Sequence, residues 1–191
     1  MRIGVLALQG AFHEHARMLR DLGADTVLVK LPRHLDGLEG LVIPGGESTT
    51  IGKLLREYEL MEPIRAMARE GMPVFGTCAG MIVLAARIQG EDEPHLALMD
   101  VTVNRNSFGR QRESFETDLS IPELGDDPFR AVFIRAPHIE SVGPGVRTLA
   151  TYEDRIVAVR EEKFLATSFH PELTADDRLH RYFLGIVAGE R

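Results

Sequence analysis

Apolar positions along the first half of the chain switch between two rhythms. Residues 3–8 (IGVLAL) form a short continuous apolar run closed by Gln9-Gly10, the pattern of a parallel strand covered on both faces. Phe12, Ala16, Leu19 and Leu22 then recur at helical spacing until Gly23, which predicts a helix stopped by glycine. Residues 26–31 (TVLVKL) read as a β-branched strand ended by Pro32. Residues 40–43 (GLVI) read as a second buried strand closed by Pro44-Gly45-Gly46, with a helix following through Leu54, Leu55 and Tyr58. A further helix precedes a strand at 72–75 (MPVF), after which residues 76–80 lead into an apolar helix over 81–86. Strands separated by helices imply crossover connections, and so a parallel sheet with helices on both faces.

The second half has a different rhythm. Val101 and Val103 alternate with Asp100, Thr102 and Asn104, and residues 114–119 and 131–135 also read as extended. Two strands at 156–160 and 164–169 flank the charged turn Glu161-Glu162-Lys163, the pattern of an antiparallel hairpin. A closing helix over about 175–187 carries Leu179, Phe183 and Val187 at spacing four. No internal repeat and no long linker divides the chain, so residues 1–191 read as one α/β domain with a mixed or antiparallel region.

Composition narrows the function classes. The formal net charge of −7 argues against indiscriminate binding to phosphate backbones or anionic lipid. The single cysteine, Cys78, rules out an intramolecular disulfide and any cysteine-cluster metal site, and suits a reducing cytoplasm. The charge-free run at 71–86 is shorter than the ~20 apolar residues of a membrane span and carries Pro73, Gly76 and Gly80, so it reads as buried core. The apolar N-terminal run is too short for a signal peptide and reads as a first strand.

One question remains from that arithmetic: whether Cys78 is a buried filler or a reagent. Gly76-Thr77-Cys78-Ala79-Gly80 is a G-x-C-x-G between a buried strand and a helix, the form of a nucleophile elbow. In that turn the thiol projects from the carboxyl edge of the sheet at a helix N-terminus, which favours thiolate. The N–H of Ala79 points at a developing oxyanion. Pro44-Gly45-Gly46-Glu47-Ser48 also ends a buried strand. There Gly46 can offer a second oxyanion donor, and Glu47 or Ser48 can cap the next helix. No lysine follows at the spacing of a phosphate loop.

A thiol needs a base, and seven histidines are available. His13 and His15 flank Glu14 on the first helix and do not share a face, so both read as solvated. His34 and His95 lie in polar loops, His180 sits between arginines on the last helix, and His138 follows Ala136-Pro137 at a strand end as a weak candidate. His170 ends an apolar strand and is followed by Pro171 and Glu172. On an extended segment residues two apart face one side, so Glu172 can hold one imidazole nitrogen while the other faces the thiol. Nucleophile, base and orienting carboxylate are the parts of a triad.

Elbow cysteine, Gly-Gly turn and C-terminal His-Pro-Glu, in that order, resemble the triad-type class I glutamine amidotransferases. Six segments sharpen the resemblance toward the glutaminase subunits of pyridoxal 5′-phosphate synthases: Leu8-Gln9-Gly10-Ala11, residues 44–50 (PGGESTT), 76–80 (GTCAG), 105–111 (RNSFGRQ), 133–137 (FIRAP) and 168–173 (SFHPEL). Together the six strings run from near the N-terminus almost to the final helix, and RNSFGRQ is the subfamily-specific one. The resemblance implies a single class I amidotransferase domain over 1–191. Its fold would be a flavodoxin-like three-layer sandwich with a mostly parallel central sheet and an antiparallel C-terminal hairpin region.

It also implies hydrolysis of L-glutamine to glutamate and ammonia, without a cofactor or metal, and transfer of the ammonia to a separate synthase subunit in a hetero-oligomer. By position Cys78 is the nucleophile, His170 the base and Glu172 its orienter. Gly46 and Ala79 are the oxyanion donors, and Gly46, Glu47, Ser48, Arg105, Ile134 and Arg135 line the glutamine site. An arginine suits the substrate carboxylate and Glu47 its ammonium, although each has a plainer reading as a surface charge or a cap. Two rivals stay open: another cysteine-elbow hydrolase, which leaves His-Pro-Glu and Pro-Gly-Gly-Glu-Ser without roles, and a non-catalytic binding subunit, which has no need of all three triad residues.

Overall fold

Twelve strands and five helices organise the computed structural model, which describes residues 1–91, 93–105, 107–108 and 113–191. The first half contains β1 (Arg2–Leu6), α1 (Phe12–Asp21), β2 (Asp25–Val29), β3 (Gly40–Ile43), α2 (Ser48–Glu57), α3 (Met61–Arg69), β4 (Val74–Thr77) and α4 (Ala79–Leu84). The second half contains β5 (Ala85–Ile88), β6 (Met99–Asn104), β7 (Ser114–Leu119), β8 (Phe129–Ile134), β9 (His138–Val142) and β10 (Arg147–Tyr152). It closes with β11 (Arg155–Glu161), β12 (Phe164–Thr167) and α5 (Arg178–Val187).

The main sheet runs β2-β1-β3-β4-β12-β11-β9-β6-β5, with β10 added on β11. Its first five strands are mutually parallel. Their order is the 2-1-3-4-5 of flavodoxin-like sheets, with everything from β5 to β11 inserted before the fifth strand. The inserted strands β11, β9 and β6 continue the sheet by antiparallel pairing, and β5 joins β6 in parallel. The pair β7–β8 forms a separate antiparallel sheet. The predicted architecture is therefore present, including the hairpin of β11 and β12.

Strand alternation divides the core in two. Ile3, Val5, Val42, Phe75 and Leu165 point to one face, where α1 and α5 bury Ala16, Leu19, Leu179, Phe183 and Ile186. Leu6, Leu41, Ile43, Val74 and Ala166 point to the other, under Ile51, Leu55, Ile64 and all of α4. Fully burying side chains of this size is worth ~1.5–3 kcal/mol each, so the layers hold the sheet's carboxyl edge firmly. Within the insertion, Phe133 of β8 packs against Phe108, Phe115, Tyr152 and Phe169, which fixes the small sheet beside the end of β12.

Three sequence expectations shift. The apolar helix expected at 81–86 begins at Ala79 and stops at Leu84, and Ala85 turns into extended backbone to begin β5. An all-apolar stretch carries no period from which its end could be read. The strand expected at 72–75 lies at Val74–Thr77, so it runs directly into Cys78. β5, β9 and β10 were not foreseen: the latter two mix exposed and buried positions, and the β10–β11 pairing is broken by register shifts.

Four strand ends converge on one edge. β1 leads to Gln9-Gly10, β3 to residues 44–48, β4 to Cys78 and β12 to His170. The crossing from β1 to β3 is where chain direction across the sheet reverses, the usual place for a ligand crevice in such folds. Among the described residues no helix is long and apolar enough to cross a membrane.

Candidate active site

Cys78 is the residue between β4 and α4, with φ 52° and ψ −109°, a conformation that non-glycine residues adopt only when their surroundings enforce it. The enforcement is visible. Its N–H donates to the Thr167 carbonyl of β12 at 2.8 Å, and its carbonyl accepts from Met81 at 3.0 Å. A Cβ added to Gly80 would lie 2.0 Å from the Ile43 carbonyl oxygen, so only glycine lets α4 approach β3 this closely. The sulfur sits 3.7 Å from the carbonyl oxygen of Ile134.

His170 reaches the same point from β12. Its backbone N–H donates to the Val132 carbonyl of β8 at 2.8 Å, so the small second sheet holds this histidine in place. Gly45 packs against both: a Cβ there would come 2.5 Å from His170 Cε1 and 3.3 Å from Cys78 Cβ. Glu172 does not extend the strand as expected. Residues Pro171–Leu173 form a 3₁₀ turn, for which the fixed φ of Pro171 is suited. That turn swings the carboxylate back so that His170 Nδ1 donates to Oε1 at 2.6 Å. Burial alone would lower the His170 pKa. Hydrogen bonding to Cys78 and Glu172, and then their negative charges, outweigh it and raise the pKa to about 10, which favours an imidazolium beside the thiol.

The cleft beside Cys78 has a volume of about 840 Å³, and its lining includes Gln9, Gly46, Glu47, Ser48, Cys78, Ala79, Arg105 and Arg135. Ala79 is the first residue of α4, so its N–H belongs to the helix terminus and has no acceptor within the helix. Glu47 caps α2: Oε1 accepts from the Thr49 N–H at 3.0 Å and Oε2 from the Thr50 N–H and hydroxyl, each at 2.7 Å. Arg105 adds a contact to Oε1 at 3.1 Å and also pairs with Glu91. The Glu47 carboxyl is held down at about 2: burial, which would raise it, is outweighed by the Thr50 and Thr49 hydrogen bonds and by the Arg105 charge.

Gln9 and Gly10 close the near wall. Gln9 Oε1 accepts the Glu47 N–H at 2.7 Å, and a Cβ on Gly10 would lie 1.6 Å from the Gly45 carbonyl oxygen. Ile134 is not among the residues lining the cleft; its side chain is exposed and its carbonyl faces the sulfur. Arg135, which follows it, has φ 45° and lines the cleft. Asn106, Gly109, Arg110 and Gln111 of the 105–111 string lie outside the described residues.

One histidine overturns its sequence reading. His15, read as solvated, is fully buried, and so is His180 on α5. His15 Nδ1 lies 2.7 Å from His180 Nε2, while His15 Nε2 lies 3.1 Å from Thr77 Oγ1 and 3.4 Å from Glu172 Oε2. Weighing His15 only against His13 and Glu14 hid the signal that could have found it. His15 sits four residues before Leu19, and His180 three before Phe183, on the apolar stripes of their helices. His95, read as a loop residue, is also buried, with its ring against Gly52. His138 opens β9 and contacts Glu140 at 3.0 Å. Among the described residues no cluster of His, Cys, Asp and Glu converges as a metal site would.

Known proteins decide the family. The model of the SNO glutamine amidotransferase family matches residues 5–188. The chain belongs to that family. Membership makes it an enzyme that hydrolyses glutamine and sets aside the reading as another kind of cysteine-elbow hydrolase. Among relatives, the pyridoxal 5′-phosphate synthase subunit PdxT of Geobacillus kaustophilus (strain HTA426) is 63% identical over 187 residues, covering 98% of this chain and 95% of the relative. PdxT of Moorella thermoacetica is 58% identical over 187 residues, covering 98% of this chain and 100% of the relative. A crystal structure of a glutamine amidotransferase shares 52% identity and a TM-score of 0.92, covering 97% of this chain and 98% of that one.

Proposed function

We propose that this amidotransferase hydrolyses L-glutamine through Cys78, His170 and Glu172 and hands the ammonia to a separate synthase subunit that makes pyridoxal 5′-phosphate from a pentose phosphate and a triose phosphate. The observation that carries the reading is the placement of Gly45 against both the His170 ring and Cys78 Cβ, with His170 tied to a buried Glu172 behind it. Relatives named as pyridoxal 5′-phosphate synthase subunits, similar over nearly their whole length, support the destination of the ammonia. The whole chain then works as one amidotransferase domain in the cytoplasm, needing no cofactor of its own.

Cys78 thiolate attacks the side-chain carboxamide carbon, and the N–H groups of Gly46 and Ala79 hold the tetrahedral oxyanion. The carbon–nitrogen bond breaks as His170 gives its proton to the departing ammonia. A γ-glutamyl thioester remains. His170 then takes a proton from water, hydroxide adds to the thioester, and the carbon–sulfur bond breaks to release glutamate and the thiolate.

Glutamine is a zwitterion, and the cleft offers a ready-made partner for each end. A carboxylate has about four acceptor sites, and those of Glu47 are taken by Thr49, Thr50 twice, and Arg105. Substrate inserting between Glu47 and Arg105 replaces one ion pair by two, with its ammonium on Glu47 and its carboxylate on Arg105 or Arg135. Gly46, Ser48 and the Ile134-Arg135 backbone shape the rest of the site.

The test is covalent labelling with a diazoketone analogue of glutamine, followed by mass measurement of the intact protein and its peptides. One adduct on Cys78, prevented by excess glutamine, is the expected result. Labelling elsewhere, or labelling indifferent to glutamine, overturns the assignment.

A further inference from the structure

The carboxylate of Glu172 is completely buried, yet His170 occupies only one of its oxygens. The other, Oε2, has no hydrogen-bond partner and lies 3.4 Å from His15 Nε2, in a region where an unpartnered charged oxygen is costly. His15 comes from α1 and His180 from α5, so two helices on one face of the sheet send imidazoles beneath the site. Around them stand Thr77 of β4, the residue immediately before the nucleophile, and the ring of Phe75. His170 and Glu172 complete the set of titratable groups facing His15.

Tautomers in this cluster are fixed by what each nitrogen can reach. His180 Nδ1 is buried without a hydrogen-bond partner. A bare nitrogen there forfeits one acceptor, whereas an N–H there would be a stranded donor. The proton of His180 therefore belongs on Nε2, which donates to His15 Nδ1 at 2.7 Å. That leaves the His15 proton on Nε2, pointing between Thr77 Oγ1 and Glu172 Oε2. The opposite arrangement would strand a His180 donor and turn a lone pair of His15 toward a carboxylate. Burial, then His180 and His170, lower the His15 pKa well below its ordinary value. The contact with Glu172 is accordingly that of a neutral donor, not an ion pair.

We propose that His15, with its tautomer set by His180, is a positioning residue of the active site: a single N–H shared between Thr77 and Glu172 holds the approach to the nucleophile and the carboxylate that orients His170 in one register. This role rests on the triad reading above. It explains why two imidazoles are buried in a core that would otherwise take leucines. Because His15 touches neither substrate nor thiol, its contribution passes entirely through Glu172 and Thr77.

Two measurements test it. Nitrogen-15 NMR of the full chain labelled at histidine should show His15 neutral, protonated on Nε2 and bare on Nδ1 at pH 7; a His15 protonated on Nδ1, or charged, overturns the proposal even if no variant folds. In the complex with the synthase subunit, His15→Leu should lower kcat about tenfold or more, the weight of one hydrogen bond to a charged group. KM should stay near wild type and the His170 titration should move down. His15→Gln, whose amide can place a donor at the same height, should recover most of both. Wild-type kcat and His170 titration in His15→Leu, or equal losses in both variants with His170 unmoved, overturn the proposal. The diazoketone separates the two failures: no Cys78 adduct in wild type removes the triad reading itself, whereas equal labelling rates in wild type and His15→Leu remove only the role of His15.

Discussion

His170 Nδ1 and Glu172 Oε1 stand 2.6 Å apart across a single intervening proline, the bond buried beneath the thiol. The carboxylate can keep the second ring nitrogen facing Cys78 and stabilise the imidazolium that must form during proton transfer. Glu172→Gln preserves shape and one acceptor but removes the charge. In steady-state glutaminase kinetics kcat should fall by roughly tenfold or more while KM changes little. A variant with near-normal kcat would show that Glu172 serves only the fold.

Cys78→Ala should abolish glutamine turnover and analogue labelling while leaving the circular dichroism spectrum intact, since the elbow is enforced by backbone contacts and glycines rather than by the sulfur. The same substitution removes the thiolate whose hydrogen bond and charge help hold the His170 pKa at about 10. Followed by histidine NMR, the His170 ring should stay charged through neutral pH in wild type and titrate lower in Cys78→Ala. Appreciable residual turnover in that variant would remove Cys78 from the chemistry.

Buried histidines set opposing slopes on stability against pH. The folded pKa of His170 is raised above the ~6.5 of an unfolded histidine. Its stabilising contribution is therefore complete below about pH 6.5 and is lost as pH rises toward 10. His180 is lowered to about 4 and His15 well below its ordinary value, both chiefly by burial. The unfolded chain takes up protons that the folded chain refuses, so stability also falls as pH drops below about 6.5 toward 4. Urea midpoints measured from pH 4 to 10 should pass through a maximum, with His180→Gln flattening the acid limb and Cys78→Ala the alkaline one. Unchanged limbs in both variants would mean that other groups control the profile.

What was legible from sequence follows the strength of local constraint. The strand at Gly40–Ile43, the Cys78 elbow and the β11–β12 hairpin announce themselves because a buried parallel strand, a Gly-flanked turn and a charged tight turn each leave a local mark. Neither β9 nor β10 does, since both owe their state to neighbours far away in sequence. The catalytic candidates were legible as separate motifs, but their meeting depends on β12 crossing back beside β4, which no spacing encodes. The 3₁₀ turn at Pro171 and the burial of His15 and His180 were missed for related reasons. One depends on how proline closes a turn, the other on which face of α1 and α5 the sheet covers.

Glu47 combines two tasks that Glu47→Gln should separate. As the cap of α2 it accepts the Thr49 and Thr50 N–H groups, a role an amide oxygen keeps in part, so the stability loss should stay within about 0.5–2 kcal/mol. As the proposed partner of the substrate ammonium it needs its charge, which Arg105 balances at 3.1 Å. Glutamine KM should therefore rise much more than kcat falls. Equal KM in variant and wild type would leave Glu47 with the capping task alone.

Gln9 ties the end of β1 to the wall that carries the proposed oxyanion donor. Its side-chain oxygen takes the Glu47 N–H at 2.7 Å, adjoining Gly46, and the neighbouring Gly10 is packed so tightly on the Gly45 carbonyl that a methyl group would overlap it. A partner docking on this edge of the sheet could not move residues 9 and 10 without moving the Gly45-Gly46 peptide. The synthase subunit should then raise glutamine turnover in wild type by acting on this contact. Gln9→Leu, which deletes the acceptor but keeps the bulk, should blunt that stimulation more than it alters turnover of the free subunit. The check is turnover of both proteins with and without the synthase subunit. Equal stimulation in wild type and Gln9→Leu would rule out the Gln9 bond as the link, and no stimulation in either would rule out coupling through this edge.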